Sequence, residues 1–264
     1  MSNGRILIMT AVEAEREAVL RGLGGAEGFE VALAGVGPAS AAARTAQTLG
    51  AAFAAANVGV LVSPAASSNG AESTGPNGGL AAVPVGTAAE TSSQSDTAGC
   101  PYRLVISAGI GGGFPDRAPI GSLVVADAIV APDLGAETPE GFRSVDELGF
   151  GSSSIDVDGE LAGRMARALV DAGLPAAVGT VLTVTTVTGS AETAAALTAR
   201  IPGAAAEAME GYGVALAAGF YGLPAMELRA VSNAVGPRDR GAWRIKDALQ
   251  ALEAASRILA EVLQ

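Results

Sequence analysis

Glu15 is the first residue whose placement calls for a chemical account. It follows Val12 by three positions and precedes Val19 by four, which turns it toward the apolar face of the helix that the segment predicts. Glu13 and Glu17 do not share that placement. A carboxylate at a helix edge is ordinarily satisfied by a neighbour or by water. One that is partly buried there has a raised pKa and can take a proton from water.

Three further stretches carry chemistry. Four of the five residues from Gly109 to Gly113 are glycine, directly after an apolar run that predicts a strand. Glycine exposes N–H donors and lets a ligand approach the backbone, although a tight turn explains the run equally well. In Ala208-Met209-Glu210-Gly211, Glu210 opens an Ala- and Gly-rich helix; Glu207 and Glu210 are the only charges between Ile201 and Met226. An acid at a helix start complements the dipole, and exposure accounts for Glu207. A buried Glu210 would need strong donors, such as the two hydroxyls of a ribose diol. Finally, Arg229-Ala230-Val231-Ser232-Asn233 ends a predicted strand, where ligands gather in open α/β sheets. The Asn233 amide offers a donor and an acceptor, enough to read a purine edge, and it is equally a common turn residue.

Composition removes the competing chemistries. There is no histidine, so Ser-His-Asp and Cys-His catalysis and His-ligated zinc are excluded. Cys100 is the only cysteine, so no internal disulfide or thiolate cluster forms, and no metal or other cofactor is expected. The single lysine, Lys246, sits in Ile-Lys-Asp, which rules out a Walker P-loop. A dinucleotide fingerprint starting at Gly109 fails, because its third glycine falls at Phe114. The net charge of −11 repels phosphate backbones, so nucleic acid is not an expected partner. Glu13, Glu15 and Glu17 interrupt the apolar opening from Ile6 to Val12, so neither a signal segment nor a membrane partner is expected, and the sequence reads as soluble and cytoplasmic.

The elements that must position these residues follow from periodicity. Apolar runs predict strands at Arg5–Met9, Glu30–Ala34, Val58–Val62, Arg103–Ser107, Ser122–Val130, Val181–Val187 and Ala225–Val231. Helices are predicted from about Thr10 to Leu23, with Val12, Val19, Leu20 and Leu23 as its apolar face, and from Pro38 to about Leu49. Others are predicted at Gly159–Ala172, Ala191–Arg200, Glu210–Phe220 and Ile245–Leu263. The alternation predicts a single domain over 1–264 of the α/β class, a three-layer α/β/α sandwich with a mixed, mostly parallel central sheet. Pro64 to Gly99 has no Lys, Arg or aromatic residue, so 64–100 reads as a flexible low-complexity insertion.

Four motifs in order, Thr-Ala-Val-Glu-Ala-Glu, Ala-Gly-Ile-Gly-Gly-Gly-Phe, Ala-Met-Glu-Gly and Arg-Ala-Val-Ser-Asn, resemble those of the nucleoside phosphorylase and nucleosidase superfamily. Asp133-Leu-Gly-Ala-Glu137 and Arg238-Asp239-Arg240 bring the likeness nearest to its futalosine hydrolase family. The resemblance spans the chain apart from the insertion. It implies hydrolytic release of hypoxanthine from a small nucleoside, futalosine, in menaquinone biosynthesis, by a homodimer or larger homo-oligomer. It places Glu15 as the water-activating base, Ile110 and Gly111 in the backbone lining the nucleoside site, and Met209 and Glu210 at the ribose. Thr186 and Val187 match the base-contacting segment. Adenine-specific relatives carry aspartate where this chain has Asn233; an amide suits a 6-oxopurine. Arg238 or Arg240 would meet a substrate carboxylate, or else serve as solvated loop charges. Gly35-Val36-Gly37-Pro38 contains no arginine, which favours water over phosphate as nucleophile. Other purine nucleosidases, phosphorolysis and a catalytically silent nucleoside-binding subunit remain as alternatives, with a dinucleotide-dependent reductase a distant further one.

Overall fold

A computed structural model describes residues 4–57 and 100–264. The strand expected at Val58–Val62 and all of the proposed insertion except Cys100 lie outside the described residues.

The chain alternates β1 (Arg5–Thr10), α1 (Glu13–Leu23), β2 (Phe29–Leu33), α2 (Pro38–Asn57), β3 (Tyr102–Gly113) and β4 (Leu123–Val130). A small hairpin, β5 (Gly135–Thr138) and β6 (Gly141–Ser144), a one-turn α3 (Val145–Leu148) and β7 (Ser154–Asp156) follow. Then come α4 (Gly159–Asp171), β8 (Ala176–Thr183), α5 (Ala191–Arg200), β9 (Ala204–Ala208), α6 (Gly211–Phe220), β10 (Ala225–Ala234) and α7 (Ile245–Leu263).

The main sheet runs β10-β4-β8-β9-β3-β1-β2, and β10 also pairs with β3. That extra pairing closes β3, β10, β4, β8 and β9 into a ring, with β1 and β2 as a flange. Pairings β1–β2, β1–β3, β3–β10, β4–β8 and β8–β9 are parallel, while β4–β10, β3–β9 and β4–β7 are antiparallel.

Helices cover both faces, and strand alternation assigns the core. In β1, Ile6 and Ile8 join Val19, Leu169, Leu252 and Leu259 of α1, α4 and α7; Leu7 and Met9 join Leu49, Val214 and Ala218 of α2 and α6. Burying each such Leu or Ile contributes about 1.5–3 kcal/mol.

The sequence expectations differ from the fold at definite places. Val12 and Leu20 are exposed; the buried positions of α1 are Glu15, Ala18, Val19, Gly22 and Leu23. Val12 precedes the first helical turn, so it leaves the helical stripe. β8 runs Ala176–Thr183, not Val181–Val187. The β-branched run after Thr183 has left the sheet, and the smaller residues Ala176 to Thr180 occupy the ladder instead. Helix α2 continues to Asn57, past the expected end near Leu49. β9, with sequence AAAEA, has no strand signature of its own; both neighbours that pair with it, β3 and β8, are distant in sequence.

Candidate active site

The glycine run forms neither a turn nor a loop. Gly109 to Gly113 are the last residues of β3, and none has a positive φ. Their requirement is space. A Cβ on Gly109 would lie 2.6 Å from both Arg229 Nη1 and Glu15 Oε1; one on Gly111 would lie 2.7 Å from the Glu207 carbonyl oxygen; one on Gly113 would lie 2.0 Å from the Ala118 carbonyl oxygen. The bare backbone lets α1, β9 and β10 converge around it.

Glu15 is fixed by that convergence. As the third residue of α1 it reaches back to accept the N–H groups of Ala11 at 2.9 Å and Val12 at 3.2 Å with Oε2, so it caps its own helix. Oε1 accepts the Ile110 N–H at 2.8 Å. It is buried, and burial pushes its pKa upward; Arg229 and the Ile110 N–H oppose the shift.

Glu210 stands immediately before α6. Its Oε1 accepts from the Gly37 N–H and its Oε2 from the Met209 N–H, each at 3.3 Å, and Arg229 Nη1 lies 3.4 Å from Oε2. Arg229, fully buried, also pairs with Glu227 at 2.7 Å and donates to Ser107 Oγ at 2.8 Å. Burial drives Glu227 upward in pKa, and its second oxygen has no hydrogen-bond partner. Gly211 is required beside it, since a Cβ there would fall 2.0 Å from Glu227 Oε2. The neighbouring carboxylates raise the pKa of Arg229 against its desolvation, so it remains the positive centre behind Glu15 and Glu210.

β10 carries an extra residue at its end: Val231 pairs with Gly111 and Asn233 with Gly112, leaving Ser232 as a bulge. Bulges re-aim side chains at such places. Ser232 Oγ shares its one proton between Asn233 Oδ1 at 2.8 Å and the Gly111 carbonyl at 3.1 Å; Asn233 Nδ2 donates to the Ala234 carbonyl at 3.0 Å. One lone pair and one N–H of the amide stay free.

Glu15, Glu210, Ser232 and Asn233 line a cavity of about 400 Å³, with Val36, Thr188, Glu207 and Trp243 among its other walls. The size suits a nucleoside. Of the residues singled out from sequence, Glu15, Ile110, Gly111, Val187, Met209, Glu210, Asn233 and Arg238 all line it. Thr186 does not: it lies in an exposed bend, and the buried Thr188 takes the wall position. Arg238 lies at the rim, its guanidinium 5.3 Å from the Trp243 ring centre, whereas Arg240 does not line the cavity. Thr188, Trp243 and Glu207 are polar or aromatic wall residues that no motif pointed to. Glu207, expected to be exposed, is buried, with burial raising its pKa against hydrogen bonds from Thr188.

The sequence matches the Phosphorylase superfamily over residues 16–264, and the chain belongs to that family. It is 59% identical over 166 residues to a futalosine hydrolase of Streptomyces coelicolor, covering 63% of this chain and 68% of that one. It is 49% identical over 154 residues to a futalosine hydrolase of Acidothermus cellulolyticus, covering 58% of this chain and 63% of that one. Among solved structures, the 5′-methylthioadenosine/S-adenosylhomocysteine nucleosidase of Neisseria meningitidis superposes with a TM-score of 0.66 at 17% identity, over 98% of each chain, which shows the shared fold. Among the described residues no helix is long and apolar enough to cross a membrane, and no His, Cys, Asp and Glu group forms a metal site.

Proposed function

We propose that this chain hydrolyses the N-glycosidic bond of futalosine, releasing hypoxanthine and dehypoxanthine futalosine for menaquinone biosynthesis. The observation that carries the reading is one cavity in which Glu15 and Glu210 face Asn233, in a chain 59% identical to the Streptomyces coelicolor enzyme over the matched span.

In the reaction, the C1′–N bond breaks and its electron pair leaves with the purine while positive charge builds on the ribosyl ring. Glu210 accepts hydrogen bonds from the 2′ and 3′ hydroxyls and fixes the sugar beside Met209. Glu15 removes a proton from water as its oxygen attacks C1′ from the face opposite the base. The free donor and acceptor of Asn233 hydrogen-bond the departing 6-oxopurine, which takes up a proton on release. Ile110 and Gly111 line the nucleoside through their backbone, and Val187 flanks the base. Arg238, the single cation among the cavity-lining residues, meets the substrate carboxylate at the rim.

Three acids line the cavity, Glu15, Glu207 and Glu210, which disfavours a phosphate nucleophile. Phosphorolysis has one point in its favour: Arg44 lies beside Gly35, though its side chain is exposed and outside the cavity. We further read the chain as a single nucleosidase domain, acting in the cytoplasm as a homodimer or larger homo-oligomer. Light scattering on the purified chain tests that state.

The deciding experiment incubates the protein with futalosine, inosine and methylthioadenosine, with and without phosphate. Phosphate-independent hypoxanthine from futalosine is expected. Adenine from methylthioadenosine, or phosphate-dependent cleavage of inosine, would overturn the assignment; no release at all would make the chain a silent binder.

A further inference from the structure

Helix α6 opens on a residue that does not cap it. Glu210 stands at the cap position, where a carboxylate is drawn to the free N–H groups of the first turn and the positive end of the helix. Its side chain makes no such bond. Its oxygens are engaged instead by the N–H groups of Gly37 and Met209, on the wall of the cavity. Nor does the first turn cap itself. It reads Gly211-Tyr212-Gly213, and the Tyr212 hydroxyl is committed to the Ser152 carbonyl.

The missing cap comes from β8. Thr183, the buried last residue of that strand, pairs with Ala208 of β9, two residues before Glu210. The two strands end side by side, so Thr183 lies beside the turn that leads into α6. Its Oγ1 accepts the Tyr212 N–H at 2.9 Å. That N–H is one of those a cap residue ordinarily takes. Branching at Cβ restricts χ1 of threonine, so the oxygen is held in place. The helix start is equally fixed: a Cβ on Gly213 would fall 2.2 Å from the Pro38 carbonyl oxygen, and Glu227 packs against Gly211.

We propose that Thr183 is a positioning residue for sugar recognition: by capping α6 from β8, its hydroxyl leaves the Glu210 carboxylate free for the 2′ and 3′ hydroxyls of the substrate. The inference rests on the reading of Glu210 as the acid that holds the ribose. Without the Thr183 oxygen, the Tyr212 N–H lacks its acceptor, and the carboxylate at the cap position is the group placed to take it. A carboxylate turned onto its own helix is lost to the sugar. Thr183 acts only through Glu210, since it is not among the residues lining the cavity.

The test compares kcat/KM for futalosine and 2′-deoxyfutalosine, using the full chain. The unequal lability of the two glycosidic bonds cancels when their ratio is compared between proteins. Relative to Glu210→Ala, the unaltered chain is expected to favour the ribose substrate. Thr183→Val keeps the shape and removes the oxygen. It is expected to cut that preference about 10-fold, the lower end of what a hydrogen bond to a charged group contributes. Thr183→Ser restores the oxygen and should keep the preference. A ratio unchanged in Thr183→Val, including an equal fall on both substrates, would overturn the proposal while leaving Glu210 as the ribose acid. A ratio in the unaltered chain equal to that of Glu210→Ala would remove Glu210 from that role, and the proposal with it. If Thr183→Val fails to fold, hydrogen exchange on the unaltered chain still decides: the Tyr212 amide is expected to be protected, and exchange as fast as at an open helix end would overturn the proposal.

Discussion

Glu15 Oε1 accepts the backbone N–H of Ile110 at 2.8 Å, across 95 residues of sequence. The bond ties the first turn of α1 to the end of β3, so the carboxylate sits at a fixed height above the glycine backbone. The remaining oxygen caps the helix. Movement of the acid would release three backbone donors at once, those of Ala11, Val12 and Ile110.

Glu15→Gln keeps the size of the side chain and removes its basicity. Turnover of futalosine should fall by about 10²–10⁴-fold with KM little changed. Because burial raises the pKa of Glu15 and the base must be ionised to act, kcat/KM should decline on acidification with a midpoint above the ordinary glutamate value of 4.5. A pH–rate profile checks the limb; normal turnover by Glu15→Gln would remove it as the base.

Asn233→Ala should lower kcat more than it raises KM, since the amide acts on the departing base. Loss of one neutral hydrogen bond corresponds to about 0.5–1.5 kcal/mol, a factor of roughly 2–13. Asn233→Asp restores a group able to protonate N7, and should raise cleavage of adenine nucleosides relative to futalosine. Product chromatography with both substrates measures the ratio.

Arg238→Ala should raise the KM for futalosine while leaving that for inosine, which has no carboxylate, nearly unaltered. The rim position and exposure of Arg238 keep the effect modest, on the order of 0.2–1 kcal/mol. Equal effects on both substrates would point to the stacking of Arg238 on Trp243 as the lost contact.

Arg229→Met should be the most damaging change to stability. It strands Glu227 and Glu210, both buried, without their cation. Breaking such a pair costs about 3–5 kcal/mol. Denaturant unfolding checks the loss, and any soluble fraction should also be impaired in turnover, because Arg229 sits behind the groups that hold sugar and water.

Most of the architecture was legible where helices announce themselves. Helices α5 and α7 fall at the expected bounds. Glu210 stands out because charge is scarce around it, and Glu15 because its spacing from Val12 and Val19 turns it toward the apolar face. What escaped was set by partners distant in sequence. β9 is a strand only because β3 and β8 flank it, and Glu207 is buried only because β9 is a strand. The glycine run suggested a turn because close approach by Glu15, Arg229 and Ala118 leaves no local trace. Thr186 comes from the match to the base-contacting segment of the resembled family, and the bend of the chain after Thr183 carries it away from the wall.

The side-chain-free end of β3 has an evolutionary consequence. A strand that can accept no substituent at Gly109, Gly111 or Gly113 without collision is closed to adaptation at those positions. Variation that reshapes the pocket is then left to side chains on the flanking elements, such as Asn233 on β10. Divergence in this pocket is confined to its walls.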